Sequence, residues 1–479
     1  MKVLMVASEC YPFVKSGGLG DVIGSLPAAL RRLGADVRVV LPKYAMIGEE
    51  YRSAMEPAGS FRVPLGWRNQ ECALARSEYE GVPFYWIDND YYFGRDGLYG
   101  YYDEAERYAF FCRAVTEMLS RSDFVPDLIH SHDWQGALVS VFLRTLDAWK
   151  KELAKIPVLM TIHNLQYQGQ FAGEILEDIL GLGGSAEAAD RLEHEGSVNF
   201  LRGGICYADA VSTVSKSYAG EIKTPFYGEG LHDVLANRTV HGITNGIDEQ
   251  FFDPQNDPMI AHRYRTLDGK RPNKESLQRR VGLPLAPDVP LVAIVSRLVP
   301  QKGWDLVERV LPNLLEEDLQ LVVLGSGERR YEEMFLSIAR RYPSKAAACI
   351  HYDEALAHQI YAAADLLLMP SLFEPCGLSQ LIAMRYGCLP VVRETGGLRD
   401  TVRPYDAGSG TGNGFSFTNY NAHDMLFTVQ KALALYREGA PWKRLATQAM
   451  HEDFSWKKAA GEYRDLYASL LKQEEKVVF

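Results

Sequence analysis

The opening of the chain constrains its fold most. An apolar run, Val3-Leu4-Met5-Val6-Ala7-Ser8-Glu9, precedes Lys15-Ser16-Gly17-Gly18-Leu19-Gly20-Asp21, and a helix-like stretch, Asp21-Val22-Ile23-Gly24-Ser25-Leu26-Pro27-Ala28-Ala29-Leu30, follows. A strand, a glycine-rich turn carrying one lysine, and a helix form a unit that presents backbone N–H groups to an anion. The same residues suit a plain tight turn between strand and helix, so the remaining chain has to decide between a phosphate pocket and a simple connection.

The unit recurs in kind. Apolar runs at residues 36–41, 83–88, 127–130, 158–163 and 210–214 read as further strands separated by amphipathic stretches. Such alternation predicts a parallel sheet covered on both faces and a first α/β domain complete near residue 240. A polar, Pro- and charge-rich passage at 253–288 reads as linker and domain entry. A second series follows: strands at 291–297, 321–327, 349–352, 366–370 and 390–392, with a helix at 304–317. From about residue 421 the pattern is helical, and its amphipathic end at 456–472 is suited to brace the first domain. The predicted fold class is α/β: two doubly wound Rossmann-like domains, 1–245 and 246–455, facing across a cleft, with 456–479 crossing back.

Size agrees, since 479 residues with 47% hydrophobic content exceed what one core can hold. No apolar run approaches the roughly 18–20 residues of a membrane helix, and Glu9 and Pro12 interrupt the start too early for a secretory segment. A soluble cytoplasmic protein is expected. The net charge of −11 argues against nucleic acid or anionic membrane, which demand clustered cations. Seven scattered cysteines without a CxxC pair suggest neither a disulfide framework nor a zinc site.

Ligands of open parallel sheets bind beyond the carboxyl ends of the strands, so Glu9, His132-Asp133-Trp134, His163-Asn164 and Ser215 should line a rim. The stretch Tyr91-Tyr92-Phe93-Gly94-Arg95-Asp96-Gly97-Leu98-Tyr99-Gly100 reads as an irregular surface loop with stacking capacity, and Tyr99 and Trp134 together at a cleft edge would suit sugar rings. In the second series, Arg297 supplies a bidentate fork and Lys302 a point charge, a pairing suited to a diphosphate. Glu374 precedes Pro375-Cys376-Gly377-Leu378 at a helix start, either as an N-cap or as an acceptor for ligand hydroxyls. Thr395-Gly396-Gly397 repeats the glycine-pair logic and offers N–H groups to a second part of the ligand. His163 could act as a base, a metal ligand or a hydrogen-bond partner of a sugar, and His130-Ser131-His132-Asp133 lacks a third ligand for a metal.

Taken in order, the stretches Lys15 to Val22, His132-Asp133-Trp134, Thr161-Ile162-His163-Asn164, Ser212-Thr213-Val214-Ser215, Asn245-Gly246-Ile247-Asp248, Ser296-Arg297 with Lys302-Gly303, and Pro370-Ser371-Leu372-Phe373-Glu374-Pro375-Cys376-Gly377-Leu378 resemble the bacterial glycogen synthase and plant starch synthase family over nearly the whole chain. The resemblance implies a GT-B fold and a retaining transfer of glucose from ADP-glucose to the non-reducing 4-hydroxyl of an α-1,4-glucan, without cofactor or metal. It assigns Lys15, Gly17, Gly18, Arg297 and Lys302 to the diphosphate, and Glu374 and His163 to the donor glucose. It places Asn245, Cys376, Gly377 and Leu378 close to the sugar and phosphate, Asp21 on the nucleotide side and Tyr352 on adenine. Glu9, Tyr99, Asp133 and Trp134 match positions associated with the glucan acceptor.

In the mechanism the resemblance implies, the leaving phosphate accepts the acceptor's proton, so no enzymic nucleophile is needed and Glu374 binds substrate. Ile382 stands where many related transferases carry a second Glu, a departure the synthase family shares. Two alternatives remain open: a UDP-sugar-dependent retaining transferase, and a two-lobed sugar-binding protein without catalysis.

Overall fold

Nine strands of the first unit form one sheet because most of them carry apolar side chains on both faces. The computed structural model describes residues 1–477. In chain order the elements used below are β1 (Lys2–Val6), α1 (Gly18–Arg32), β2 (Asp36–Pro42), β3 (Glu56–Leu65), β4 (Arg68–Tyr79), β5 (Val82–Asp88), α2 (Glu104–Leu119), β6 (Leu128–His132), α3 (Asp133–Arg144), β7 (Val158–Ile162), β8 (Ala210–Thr213) and β9 (Val240–Gly242). The sheet order is β9-β8-β7-β6-β1-β2-β5-β4-β3, parallel from β9 through β5. Val3, Leu4, Met5 and Val6 of β1 are wholly buried, as a central strand covered by helices on both faces requires.

The edge differs from expectation. The hairpin β3–β4 pairs antiparallel with itself and with β5, and the sequence reading passes over it. Its residues alternate between exposed and covered, so they lack the continuous apolar run that marks the interior strands. The Tyr-rich stretch is not wholly a surface loop either, because Tyr92 and Phe93 are fully buried and Arg107 of α2 donates to the Tyr92 and Leu98 carbonyls.

The second unit, Thr244–Ser455, contains α4 (Lys270–Val281), β10 (Leu291–Val295), α5 (Trp304–Glu316), β11 (Gln320–Leu324), β12 (Ala346–Cys349), β13 (Leu366–Met369), α6 (Ser379–Arg385), β14 (Leu389–Arg393) and β15 (Phe415–Phe417). All six strands are parallel, in the order β12-β11-β10-β13-β14-β15. The passage read as a linker folds into this unit. The Lys270 ammonium donates to the Tyr361 and Tyr386 carbonyls, Lys274 pairs with Asp365 at 2.7 Å, and Asp257 accepts from the Tyr386 hydroxyl at 2.6 Å. Asp257, Lys270 and Lys274 are thus paired inside the core, and so composition alone imitates a solvated linker. β12 also ends at Cys349, which leaves Tyr352 on the following loop and not on a strand.

The chain then returns to the first unit. α7 (Trp456–Val477) packs on α1, burying Trp456, Ala460, Tyr463 and Tyr467, and the Tyr467 hydroxyl lies 2.7 Å from His130 Nδ1. Two doubly wound Rossmann-like units with this return constitute the GT-B architecture. Among the described residues, no helix is long and apolar enough to cross a membrane.

Candidate active site

In the first unit the glycine-rich loop leads directly into α1, which begins at Gly18 and not at Asp21. Its first anion is internal. Glu9, only 4% exposed, accepts from the Ser16 N–H at 2.5 Å, the Gly17 N–H at 3.2 Å, the Ser16 hydroxyl at 2.7 Å and the Tyr99 hydroxyl at 2.6 Å. Ser8 Oγ closes the cluster, 2.9 Å from the Tyr99 hydroxyl. In this arrangement the polar atoms of Glu9 and Tyr99 latch the loop to the end of β1. Among the described residues, the Gly18 and Leu19 N–H groups at the α1 N-terminus are left outside the Glu9 cluster.

Lys15 is exposed and ion-paired with Asp21 at 2.6 Å, one helical turn into α1. Gly17 has φ −157°, ordinary extended backbone, and a Cβ built on Gly17 or Gly18 would meet nothing within 4 Å. Gly20 differs, since its Cβ would lie 3.0 Å from the Lys15 side chain, which packs across it.

The second cluster of this unit lies at the ends of β6 and β7. Asp133 starts α3 in the left-handed region, at φ +53°, a conformation that costs a non-glycine residue strain. That geometry turns its carboxylate onto the next strand end, where Oδ1 accepts the His163 N–H at 2.7 Å; the Asn164 N–H donates to the same carboxylate. Burial pushes the Asp133 carboxyl up to about 7, against the opposing pull of these N–H groups. His163 Nε2 lies 2.9 Å from His132 Nδ1, and burial pushes His163 down to about 3. The imidazole is therefore neutral at ordinary pH and suited to exchanging hydrogen bonds with a hydroxyl, not to carrying charge. His130 stacks on His132 with ring centroids 4.0 Å apart, its Nε2 2.6 Å from the Thr161 hydroxyl. His132 and His130 share one face of β6 because strand side chains alternate. That alternation is visible in the sequence, but their contact with His163 requires the β6–β7 pairing.

Trp134 follows Asp133 at the start of α3. It is 6% exposed, packed edge-on to Tyr108 at 4.9 Å and against Phe171 and Phe200, and Gly169, at φ +64°, lies so close that its Cβ would fall 2.4 Å from the indole. The indole thus packs among the aromatic side chains at the start of α3.

In the second unit two loops are joined. The Leu372 N–H donates to the Gln301 carbonyl at 2.9 Å, and Gly303, at φ +76°, lies so close to Pro370 that its Cβ would meet the Pro370 carbonyl at 2.1 Å. This packing sets Lys302 beside Glu374: Nζ lies 2.9 and 2.7 Å from the two carboxylate oxygens, and the Ser371 hydroxyl donates to Oε2 at 3.0 Å. Lys302 and Glu374, matched separately to phosphate and to sugar, form one ion pair here. Ser371 is the partner that the sequence reading missed. Arg297 is exposed at the end of β10, and its carbonyl accepts from the Trp304 indole.

Cys376 is buried against the Asn245 N–H, and burial pushes its thiol up to about 12, which leaves it un-ionised. Gly377 takes φ +74° before Leu378, the cap of α6. The second glycine pair has a different task from the one expected, because the Gly397 N–H donates to the Glu374 carbonyl at 3.1 Å. A Cβ on Gly396 would fall 1.9 Å from that carbonyl oxygen, and one on Gly397 2.1 Å from the Cys376 carbonyl oxygen. These glycines let the backbone seat the Glu374 turn. Tyr352 is 77% exposed.

Residues 2–237 match the starch synthase catalytic domain model and residues 277–448 the glycosyl transferases group 1 model. The glycogen synthase of Desulforamulus reducens is 52% identical over 475 residues, covering 98% of this chain and 99% of the relative. The chain belongs to the glycogen and starch synthase family. The glycogen synthase of Geobacillus stearothermophilus is 50% identical over 481 residues, covering 99% of each chain. The solved catalytic domain of starch synthase IV from Arabidopsis thaliana, bound to ADP and acarbose, superposes with a TM-score of 0.91 at 35% identity, covering 98% of this chain and 99% of that one. Sucrose-phosphate synthase from Thermosynechococcus elongatus shares the fold alone, at TM-score 0.62 and 16% identity. The chain is a glucosyltransferase of this synthase family.

Proposed function

We propose that the chain elongates an α-1,4-glucan from ADP-glucose with retention, and that Lys15, the α1 N-terminus, Arg297 and Lys302 supply the positive field the departing diphosphate needs. The bond from the anomeric carbon to the β-phosphate oxygen breaks, the bond to the acceptor O4 forms, and the phosphate takes the O4 proton. Electrostatic work that could otherwise fall to a divalent ion is assigned to these cations, and no metal or cofactor is invoked. Neutral His163 and the Glu374 carboxylate hold donor-glucose hydroxyls. Asp21 and Tyr352 serve the nucleotide, while Asn245, Cys376, Gly377 and Leu378 shape the sugar and phosphate surroundings.

The observation that carries this reading is the open space around Gly17 and Gly18. Among the described residues no φ value and no neighbouring atom demands glycine there, so the demand is assigned to a ligand that approaches the backbone closely. Asp133 serves the reaction by fixing the turn at His163 and Asn164. The test is transfer of radiolabelled glucose from ADP-glucose and from UDP-glucose to glycogen. Faster transfer from ADP-glucose is expected; faster transfer from UDP-glucose would overturn the donor assignment, and no transfer from either would favour a binding protein.

A further inference from the structure

We infer that His132 is a positioning residue for the reaction: through its Nδ1–H it holds the His163 ring in one orientation and one tautomer, so that His163 meets the donor sugar with an Nδ1–H. Strand alternation sets the arrangement up. His130 and His132 share a face of β6, and the pairing of His132 with Thr161 puts His163, two residues further on, diagonally across from it. His132 Nδ1 then lies 2.9 Å from His163 Nε2, with the two rings tilted by 39°. With Nε2 engaged in this way, Nδ1 is the ring nitrogen that His163, 8% exposed, has left to offer a ligand.

One proton lies between the two rings, and burial decides which ring owns it. Burial pushes the His130, His132 and His163 imidazoles down, so each ring is neutral and carries a single N–H. His132 is wholly buried, and its Nε2 has no hydrogen-bond partner among the described residues. If the shared proton belonged to His163, the proton of His132 would sit on that Nε2 as a buried donor without an acceptor. If it belongs to His132 Nδ1, Nε2 is only a bare lone pair. Orphaned buried N–H groups are rarer than under-satisfied acceptors, so His132 donates, His163 Nε2 accepts, and the His163 proton resides on Nδ1. The donating ring is itself held from behind. His130 stacks on His132, and both His130 nitrogens are engaged, Nε2 2.6 Å from the Thr161 hydroxyl and Nδ1 2.7 Å from the Tyr467 hydroxyl of α7. Thr161 Oγ1 in turn lies 2.6 Å from Ser212 Oγ of β8. That the Nδ1–H meets a donor-glucose hydroxyl rests on the function proposed above, whereas the tautomer rests on the protein alone.

The experiment uses the full chain with isotope-labelled histidine. Long-range proton–nitrogen correlation spectra distinguish a protonated ring nitrogen from a bare one, and the two residues are assigned by the signals lost in His132→Gln and His163→Gln. The expected result is Nδ1–H on both residues in wild type, with the His163 proton populating Nε2 in His132→Leu, where the donor is gone. Nε2–H on His163 in wild type, or an unchanged His163 tautomer in His132→Leu, would overturn the inference, and the wild-type spectrum decides even where the Leu variant does not fold. Initial rates with ADP-glucose and glycogen are measured alongside inhibition by ADP. ADP lacks the sugar, so its Ki should stay constant in His132→Leu while kcat/KM for ADP-glucose falls roughly three- to tenfold, the worth of one neutral hydrogen bond. His132→Gln, whose amide can donate to His163 Nε2, should regain most of that loss. Equal losses of ADP affinity and turnover, or no recovery in the Gln variant, would reduce His132 to packing and overturn its positioning role. A wild type that shows the Nδ1–H pair but transfers no glucose would instead sink the proposed activity and leave the tautomer standing.

Discussion

Replacing Glu9 tests whether this carboxylate latches the Lys15 loop or touches the acceptor. Its Oε2 accepts two backbone N–H groups, from Ser16 and Gly17, and its Oε1 accepts two hydroxyls, from Ser16 and Tyr99. The hydroxyls can rotate toward new partners, but the N–H groups cannot. Glu9→Ala therefore leaves two fixed donors unpaired beside the buried end of β1, at about 1–3 kcal/mol each. A loss of roughly 2–6 kcal/mol follows, lowering the melting temperature of the first unit by roughly 4–24 °C. Glu9→Gln keeps an oxygen for the N–H pair and turns its amide toward the hydroxyls. It forfeits only the charge assistance, about 1–2 kcal/mol. Loosening the loop reduces the fraction competent to bind, so KM for ADP-glucose and Ki for ADP should rise roughly tenfold in the Ala variant and less in the Gln variant. KM for glycogen should stay constant. The assay pairs urea unfolding with initial rates at varied donor and acceptor; a rise in glycogen KM alone, with stability and ADP affinity intact, would refute the latch.

Three further outcomes follow from the geometry. Lys302→Ala strands the buried Glu374 carboxylate, leaving it the Ser371 hydroxyl as side-chain donor among the described residues, and should cost about 3 kcal/mol; a double-mutant cycle with Glu374→Ala in urea should show strong coupling, and additivity would dismiss the pair as a structural unit. Asp133, whose carboxyl is raised to about 7 in the fold from an ordinary 3.8, contributes stability that is present below about pH 4 and lost as pH rises through 7. The stability advantage of Asp133→Asn, which keeps an acceptor for the two N–H groups, should therefore grow by a few kcal/mol across that window and then level off; an advantage that shrinks with rising pH would contradict the burial argument. Gly18→Val should leave the melting curve unchanged and raise KM for ADP-glucose, since open space surrounds that Cα, whereas unaltered kinetics would remove the loop from the donor site.

The core strands were legible because parallel strands buried on both faces write themselves as unbroken apolar runs: Val3 to Val6 and Leu291 to Ile294 need no context. What escaped were elements whose character depends on a partner. The hairpin β3–β4 alternates residue by residue and acquires its covered face only when it joins β5. Lys270 and Lys274 resemble solvated charges until the Tyr361, Tyr386 and Asp365 acceptors close around them. The site follows the same rule. Lys15, Arg297, Lys302 and Glu374 could be chosen by charge and by position at strand ends, but the Lys302–Glu374 pair depends on the Pro370–Gly303 packing, and the His132–His163 contact on register between β6 and β7.

The two glycine pairs make the point most sharply, because their sequences are alike and their physics is opposite. At Gly17-Gly18 the chain offers no reason for glycine: φ at Gly17 is extended and both Cβ positions are open. At Gly396-Gly397 the reason is entirely internal, since φ at Gly396 is +45° and any Cβ would strike the carbonyl oxygens of Glu374 and Cys376. An alanine at 397 therefore has to displace the turn that carries Glu374, so Gly397→Ala should lower the melting temperature and the activity together. At Gly18 a side chain should separate the two readouts, sparing the fold while weakening donor binding. If both substitutions lowered stability equally, the open space at Gly18 would not be space reserved for a ligand, and the assignment of the opening loop to the diphosphate would lose its physical basis.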